Sequence, residues 1–405
     1  MDSSVFKNSK FLFILVTAFL SVMGIGVIIP VIPFIVGKII GAGKVNEIAL
    51  YVGLLVSTYS FFQFFAAPVL GALSDKYGRR PVLLFCQLGS AIGYIIFGLA
   101  GSLWMLFLGR IIDGTTGGDI STIFAYIADI TKPQDRGKYY GIVGATVGFG
   151  FMLGPTIGGI LSNISLSAPL FFAAGLTILN MIFGFFILPE SHAKEARNAD
   201  FSMHHLNPFT QFGFVAKNKL LTSLLIVGFF YFLPFAQLQV LGSVYFKDIL
   251  AWGPTNIGFF FLLLGIGDMF TQGYLNGKLS AQYGPLKLVF AGFVATAAAY
   301  GINALLPLFP QNAFAYLFIV IYALGSGLFE PSFGGLISQA ANPGEQGRVM
   351  GVSQSVQSIT RIIGPLLAAF LYQFGHSTPF VLAVILSIVG IIILDQHKEE
   401  IHKHI

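Results

Sequence analysis

The sequence predicts an all-α integral membrane protein, with twelve transmembrane helices in two pseudo-symmetric six-helix bundles. Three observations carry this expectation. Of the 405 residues, 55% are hydrophobic and only 10% are charged, whereas a soluble chain carries about 25% charged residues. The apolar residues gather into runs long enough to cross the hydrocarbon core, which takes about 20 residues of helix. The longest polar stretch, Pro189 to Lys217, falls after the sixth run and divides the runs six and six.

In chain order the runs are 11–36, 48–72, 80–101, 103–128, 138–161, 167–188, 219–243, 254–277, 286–307, 313–338, 349–373 and 377–395. The first follows Lys7 and Lys10 as a signal peptide would, but it is too long and no small-residue cleavage site closes it, so it reads as a retained helix. Glycines and prolines interrupt many runs, for example Gly24, Gly26, Pro30 and Pro33 in the first. Such breaks are tolerated where neighbouring helices satisfy the backbone. The organisation expected is a bundle at 1–188, a cytoplasmic linker at 189–218 and a second bundle at 219–405.

Loop charge sets the orientation, because Lys and Arg remain on the cytoplasmic side. With a cytoplasmic N-terminus, the inner segments hold Lys76, Arg79, Arg80, Lys132, Arg136, Lys194, Arg197, Lys278, Lys287 and Arg348 among others, and the outer loops only Lys38, Lys44 and Lys247. Both termini are then cytoplasmic, in a multi-pass protein of the inner (plasma) membrane. This topology accounts for the net charge of +5 without nucleic acid as a partner. Cys86 is the only cysteine, so no intramolecular disulfide exists, and no Cys/His cluster has zinc spacing. The tail from His397 to His404 is read as solvated and Asn163-Ile-Ser165 as an uninformative triplet, so no metal and no cofactor is expected.

The two halves echo each other weakly. Gly71-Ala-Leu-Ser-Asp-Lys-Tyr-Gly78 is matched by Gly277-Lys-Leu-Ser-Ala-Gln-Tyr-Gly284, with Ala281 where Asp75 stands. Gln134-Asp-Arg-Gly-Lys-Tyr-Tyr-Gly141 is matched by Gly344-Glu-Gln-Gly-Arg-Val-Met-Gly351, and Gly154-Pro155 by Gly364-Pro365. Two related bundles around a midplane site form the architecture such repeats imply. Within the runs, polar groups cost a few kcal/mol each at the helix centre. The cases are Arg110, Asp113 and Asp119 in the fourth run, Asp268 in the eighth, Glu330 in the tenth and Arg361 in the eleventh, while all seven histidines lie outside the runs. A coupled proton would therefore ride on a carboxylate.

The segment Gly71 to Pro81, GALSDKYGRRP, resembles the signature loop between helices 2 and 3 of the major facilitator superfamily. That resemblance implies a gating role for Asp75, Arg79, Arg80 and Arg136, with Asp75 locking the inner ends of the bundles through Arg136 and the start of helix 11. The alternative is an ordinary basic turn. Gly109-Arg-Ile-Ile-Asp-Gly-Thr-Thr-Gly-Gly118 resembles the helix 4 motif of proton-coupled facilitators, which gives Arg110 a part in proton transfer. Against this stands a plain helix pin, because Arg110 and Asp113 are three apart on one face.

Gly150-Phe-Met-Leu-Gly-Pro-Thr-Ile-Gly-Gly159 resembles the exporter motif of helix 5. Its physical content, in Gly150, Gly154, Pro155, Gly158 and Gly159, is a small-residue stripe with a kink for close approach to a helix of the other half. Ordinary packing is the alternative. With Met23-Gly-Ile-Gly-Val-Ile-Ile-Pro-Val-Ile-Pro33 and Leu103-Trp-Met-Leu-Phe-Leu-Gly-Arg110, the whole looks like the tetracycline/proton antiporter branch of the twelve-helix drug antiporters. It departs where those exporters carry acids in helices 1, 3 and 9, since Ser21, Gly93 and Thr296 occupy the matching positions. Asp268 stands where they carry a histidine.

The candidate proton-coupling residues are Arg110, Asp113, Asp268 and Glu330, with Asp119 weighted lower. The candidate substrate cavity is lined by Tyr231, Phe235, Gln237 and Gln239 of helix 7, Glu330, and Gln354, Gln357 and Arg361 of helix 11. Aromatic rings with amides suit an amphiphilic substrate. With 43 phenylalanines in the chain, plain packing is the stronger alternative for the aromatic cluster, and a structural Glu330–Arg361 pair is an equal one for Glu330. The function expected is proton-coupled efflux of amphiphilic drugs by alternating access, by a monomer in the lipid bilayer. The alternatives are a proton-coupled importer and a dedicated exporter of a metabolite, lipid or siderophore. An enzyme is disfavoured, because HExxH, GxxxxGK and GxSxG are all missing. A channel would not need the two-half repeat or the gating loop.

Overall fold

The computed structural model describes residues 9–131, 136–191, 218–341, 346–399 and 401. Most of the expected linker (192–217) and the histidine-rich end of the tail lie outside the described residues. The described chain is helical throughout, and eleven of its helices are long and apolar enough to cross a membrane.

The first run folds as α1 (Ser9–Ile28) and α2 (Ile32–Ile40). Pro30 lacks the N–H that a continuous helix needs, and Pro33 then fits the first turn of α2. Next come α3 (Val45–Tyr77), α4 (Arg79–Gly98), α5 (Leu103–Thr116), α6 (Asp119–Ile130), α7 (Arg136–Leu161) and α8 (Ala168–Ile187). The second half holds α9 (Lys219–Ile249), α10 (Pro254–Phe270), a π-helical segment (Thr271–Asn276) and α11 (Gly277–Tyr283). It closes with α12 (Pro285–Leu305), α13 (Asn312–Ala340), α14 (Gln346–Tyr372) and α15 (Thr378–Gln396).

The fourth run is split at Gly117–Gly118, leaving α5 and α6 with 14 and 12 residues, each too short to cross alone. Two glycines make the break possible, and the side chain of Gln63 holds it, donating to the Gly117 carbonyl at 2.9 Å. The eighth run keeps its length but changes winding at Thr271, three residues after Asp268.

The repeats seen in sequence return as geometry. Gly78 and Gly284, the closing glycines of the two echoed loops, both have positive φ, 105° and 79°, a conformation that L side chains rarely adopt. The α4–α5 and α12–α13 crossings are also alike. A Cβ on Gly93 would come 2.9 Å from the Gly109 carbonyl oxygen, and one on Gly292 would come 2.7 Å from that of Gly325. Between helices in lipid, such close backbone approach is a main source of cohesion.

Backbone contacts divide the chain into two compact units. The first comprises Met1–Ala42, Thr58–Pro208 and Pro254–Phe259, and the second Gly43–Ser57, Phe209–Gly253 and Phe260–Ile405. The first is packed around Phe11, Phe13, Ile14, Leu83, Tyr126 and Val143. The second is centred on Leu224, Tyr231, Phe293, Phe329, Phe333 and Val352.

Candidate functional site

In the first unit the charged centre is Arg110 and Asp113 of α5, 3% and 1% exposed. Their i, i+3 spacing brings Arg110 Nη2 to 3.1 Å from Asp113 Oδ2, so the expected pair forms. Those two atoms and Arg110 Nε nevertheless have no aligned hydrogen-bond partner among the described residues. The guanidinium instead lies over the rings of Phe97 at 4.9 Å and Tyr59 at 5.3 Å. Cation–π attraction is strongest where water is excluded. An ion pair held mainly by rings and charge has donors and acceptors left for a mobile proton or ligand.

Asp119 opens α6, where its Oδ1 accepts from the Ile120 N–H at 2.9 Å. Its Oδ2 accepts from the Ser21 hydroxyl of α1. Ser21 Oγ also lies 2.9 Å from the Thr17 carbonyl oxygen. The position that resembles a helix 1 acid is thus a serine, and the structure supplies it with a carboxylate from α6. The helix 3 counterpart, Gly93, has no such room, since a Cβ there would come 2.9 Å from the Asp113 Cβ.

The second unit repeats this chemistry. Ser326 of α13 donates to Asp268 Oδ1, and the same hydroxyl lies 2.8 Å from the Tyr322 carbonyl oxygen. In each unit one hydroxyl proton is thus shared between the carbonyl four residues back and an aspartate of another helix. One turn beyond Ser326, Glu330 lies within electrostatic reach of Asp268 and Arg361. The π segment that follows Asp268 is fixed to α13 by Asn276, whose Nδ2 donates to the Leu328 carbonyl at 3.0 Å and lies 2.9 Å from Ser332 Oγ. π-Helical turns recur at functional sites because they shift register within a continuous helix.

The expected cavity residues separate into three groups. Tyr231 belongs to the packed core, its ring stacked on Phe329 at 3.5 Å and edge-on to Phe293, with its hydroxyl unpartnered among the described residues. Phe235 stacks on Tyr322 at 6.4 Å. Gln237 is 3% exposed and neither amide atom has a partner among the described residues, which leaves a full donor–acceptor pair for a ligand or for water. Gln239 and Gln357 are half-buried, and Gln354 and Arg361 are exposed.

The α3–α4 loop is tied differently from what the resemblance implies. Asp75 pairs with Arg79 at 2.5 Å, and Arg79 also reaches Ser74 Oγ at 2.6 Å and Asp129 Oδ2 at 3.1 Å. Arg136 donates to the Ala128 carbonyl at 2.9 Å and is not paired with Asp75. The start of helix 11, the other half of the expected lock, has side chains 346–348 outside the described residues. Glu190 Oε1 and Oε2 accept from the backbone N–H groups of Arg79 and Arg80 at 2.9 and 3.3 Å, capping α4 from beyond α8.

The α7 stripe meets α1 along most of its length and the other half of the sequence at one face. A Cβ on Gly150 would come 2.8 Å from the Phe19 carbonyl oxygen, and one on Gly154 would come 2.7 Å from that of Met23. Only the next face, at Pro155 and Gly159, meets Pro254–Gly258 of α10, within the first unit. There Thr255 Oγ1 donates to the Gly159 carbonyl at 3.0 Å. A proline-kinked helix thus presents glycines to two neighbours, and only one of these contacts was expected.

Sequence reasoning missed Ser21 as a partner of Asp119, and also Ser326 and Asn276. A small polar residue deep in an apolar run was the signal available.

A polytopic membrane bundle with buried, partly unsatisfied charges has the makeup of a transporter. The sequence model of the Major Facilitator Superfamily matches residues 14–365 and 240–401, and the chain belongs to that superfamily. It is 34% identical to the class C tetracycline resistance protein of Escherichia coli, over 92% of each chain. It is 26% identical to Multidrug resistance protein 2 of Bacillus subtilis, over 95% of this chain and 94% of the relative. Among solved structures, the fold is similar to the crystal structure of the human organic anion transporter MFSD10 (TETRAN). The TM-score is 0.70 at 22% identity, with 95% of this chain and 98% of that one covered.

Proposed function

We propose that the chain is a proton-coupled antiporter that exports amphiphilic small molecules across the inner membrane by alternating access. It would work as a monomer without a cofactor, with both termini cytoplasmic and bundles 1–188 and 219–405 joined by the linker 189–218. One observation carries the reading. Two aspartates, Asp119 and Asp268, each share a serine proton with a backbone carbonyl on another helix. When the carboxylate is ionised the hydroxyl donates to it. When it is protonated the carboxyl donates, and the hydroxyl turns to the carbonyl. Loading a proton therefore redirects a helix–helix hydrogen bond, and a differential interaction of that kind is what coupling requires.

The names of the relatives, tetracycline resistance and multidrug resistance, support export. The substrate preference follows from charge. Within the apolar runs, the four carboxylates Asp113, Asp119, Asp268 and Glu330 outnumber the two guanidinium groups of Arg110 and Arg361, an excess that favours a cationic or zwitterionic amphiphile. Gln237, with both amide atoms unpaired among the described residues, would orient it, and Arg110 would return Asp113 to its ionised form after proton release.

The test uses reconstituted Asp119→Asn, Asp268→Asn and Glu330→Gln proteins. A coupling residue is expected to lose uptake driven by a proton gradient while retaining substrate-for-substrate exchange. Gradient-driven transport at the wild-type rate in all three would overturn the assignment.

A further inference from the structure

Outside the charged centres, a lateral groove opens between α4 and α8. It encloses about 820 Å³ and is lined by Leu84, Leu88, Met181, Ile182 and Phe185, with Arg80 at one end. That volume falls in the range of about 300–1,000 Å³ occupied by small-molecule sites. Both walls are membrane-spanning helices, and Leu88, Ile182 and Phe185 are exposed, so whatever fills the groove comes from the bilayer.

Arg80 makes the groove more than an apolar face. Its Nη2 donates to the Phe185 carbonyl, and its guanidinium lies over the Phe185 ring, 5.6 Å from the centroid. The head group is therefore held at the mouth instead of swinging into solvent. Its Nε is buried and has no hydrogen-bond partner among the described residues. Glu190 accepts from the backbone N–H groups of the same helix start, and the Arg80 guanidinium is the cation that lines this end of the groove. A planar, delocalised cation with open donors is suited to phosphate.

We infer that this groove binds an anionic glycerophospholipid, with an acyl chain along α4 and α8 and the headgroup phosphate on Arg80.

The test is native mass spectrometry of the full-length protein after equilibration with vesicles of equal phosphatidylglycerol and phosphatidylcholine. The wild type is expected to retain phosphatidylglycerol about fivefold over phosphatidylcholine, the worth of one basic residue at an anionic surface. Arg80→Gln should remove the preference and Arg80→Lys should keep most of it. Leu88→Trp, on an exposed position that does not disturb the core, should fill the groove and reduce retention of both lipids. Equal retention of the two lipids by the wild type, an unchanged preference in Arg80→Gln, or unchanged retention in Leu88→Trp would overturn the inference.

Discussion

Arg110 and Asp113 illustrate how little a buried charge can be changed alone. Removing one partner of a buried pair typically costs about 3–5 kcal/mol, while replacing both by apolar groups of similar size is often neutral. Arg110→Ala should therefore lower unfolding stability in detergent by about that amount, and Arg110→Met with Asp113→Leu should recover most of it. If the double variant is as unstable as the single one, the ion pair is not the main interaction of Arg110, and the rings of Tyr59 and Phe97 are. Gly93 gives a second expectation at this scale. Restoring an acid there, by Gly93→Asp, overpacks against Asp113 and Gly109 and should cost about 1–3 kcal/mol. A stable, active Gly93→Asp protein would show that the α4–α5 crossing is looser than the structure has it. Arg110, Asp113, Asp268 and Glu330 were legible in the sequence because a charge in an apolar run stands out. Ser21 and Ser326 were not, since their importance lies in which carboxylate another helix delivers to them.

The helices themselves were readable from run length and from glycine and proline punctuation, and all twelve runs are helical. The breaks inside the runs were less so. Pro30 marks the end of α1, but Gly117–Gly118 resembles many glycine pairs that helices absorb. It becomes a break because Gln63 occupies the Gly117 carbonyl and Asp119 supplies the next N–H with an acceptor. The π segment has no sequence mark at all. Its stability depends on Asn276, so Asn276→Ala should cost about 1–3 kcal/mol through the buried groups left unpaired. It should also slow transport more than a surface change of equal destabilisation. Transport at the wild-type rate in that variant would mean that the winding after Asp268 is incidental. The α7 stripe was legible as a packing motif, but which neighbours its faces meet depends on the three-dimensional crossing and not on spacing. The positive-φ glycines of the two echoed loops give a matched pair: Gly78→Ala and Gly284→Ala should each cost about 1–3 kcal/mol from backbone strain. If one is silent by thermal unfolding, the two loops do not share a conformation in the working protein.

At the scale of the whole molecule, the repeat is more evident in structure than in sequence. Few identities link the halves, yet the loop glycines, the helix crossings and the aspartate–serine pairs recur. Physical constraint explains this, because a tight turn needs glycine and a close crossing needs two of them, while the residues between are free to diverge. The chain is a member of the Major Facilitator Superfamily. Its proposed antiport rests on protonation redirecting hydrogen bonds at Asp119 and Asp268. The most direct measurement is proton flux in proteoliposomes with a pH probe inside, an imposed gradient, and a panel of cationic and zwitterionic amphiphiles, tetracycline among them. The account predicts substrate-triggered proton movement opposite to substrate flux, abolished in a folded protein carrying Asp119→Asn and Asp268→Asn together. Substrate movement with no proton flux, or with proton flux intact in that double variant, would contradict it.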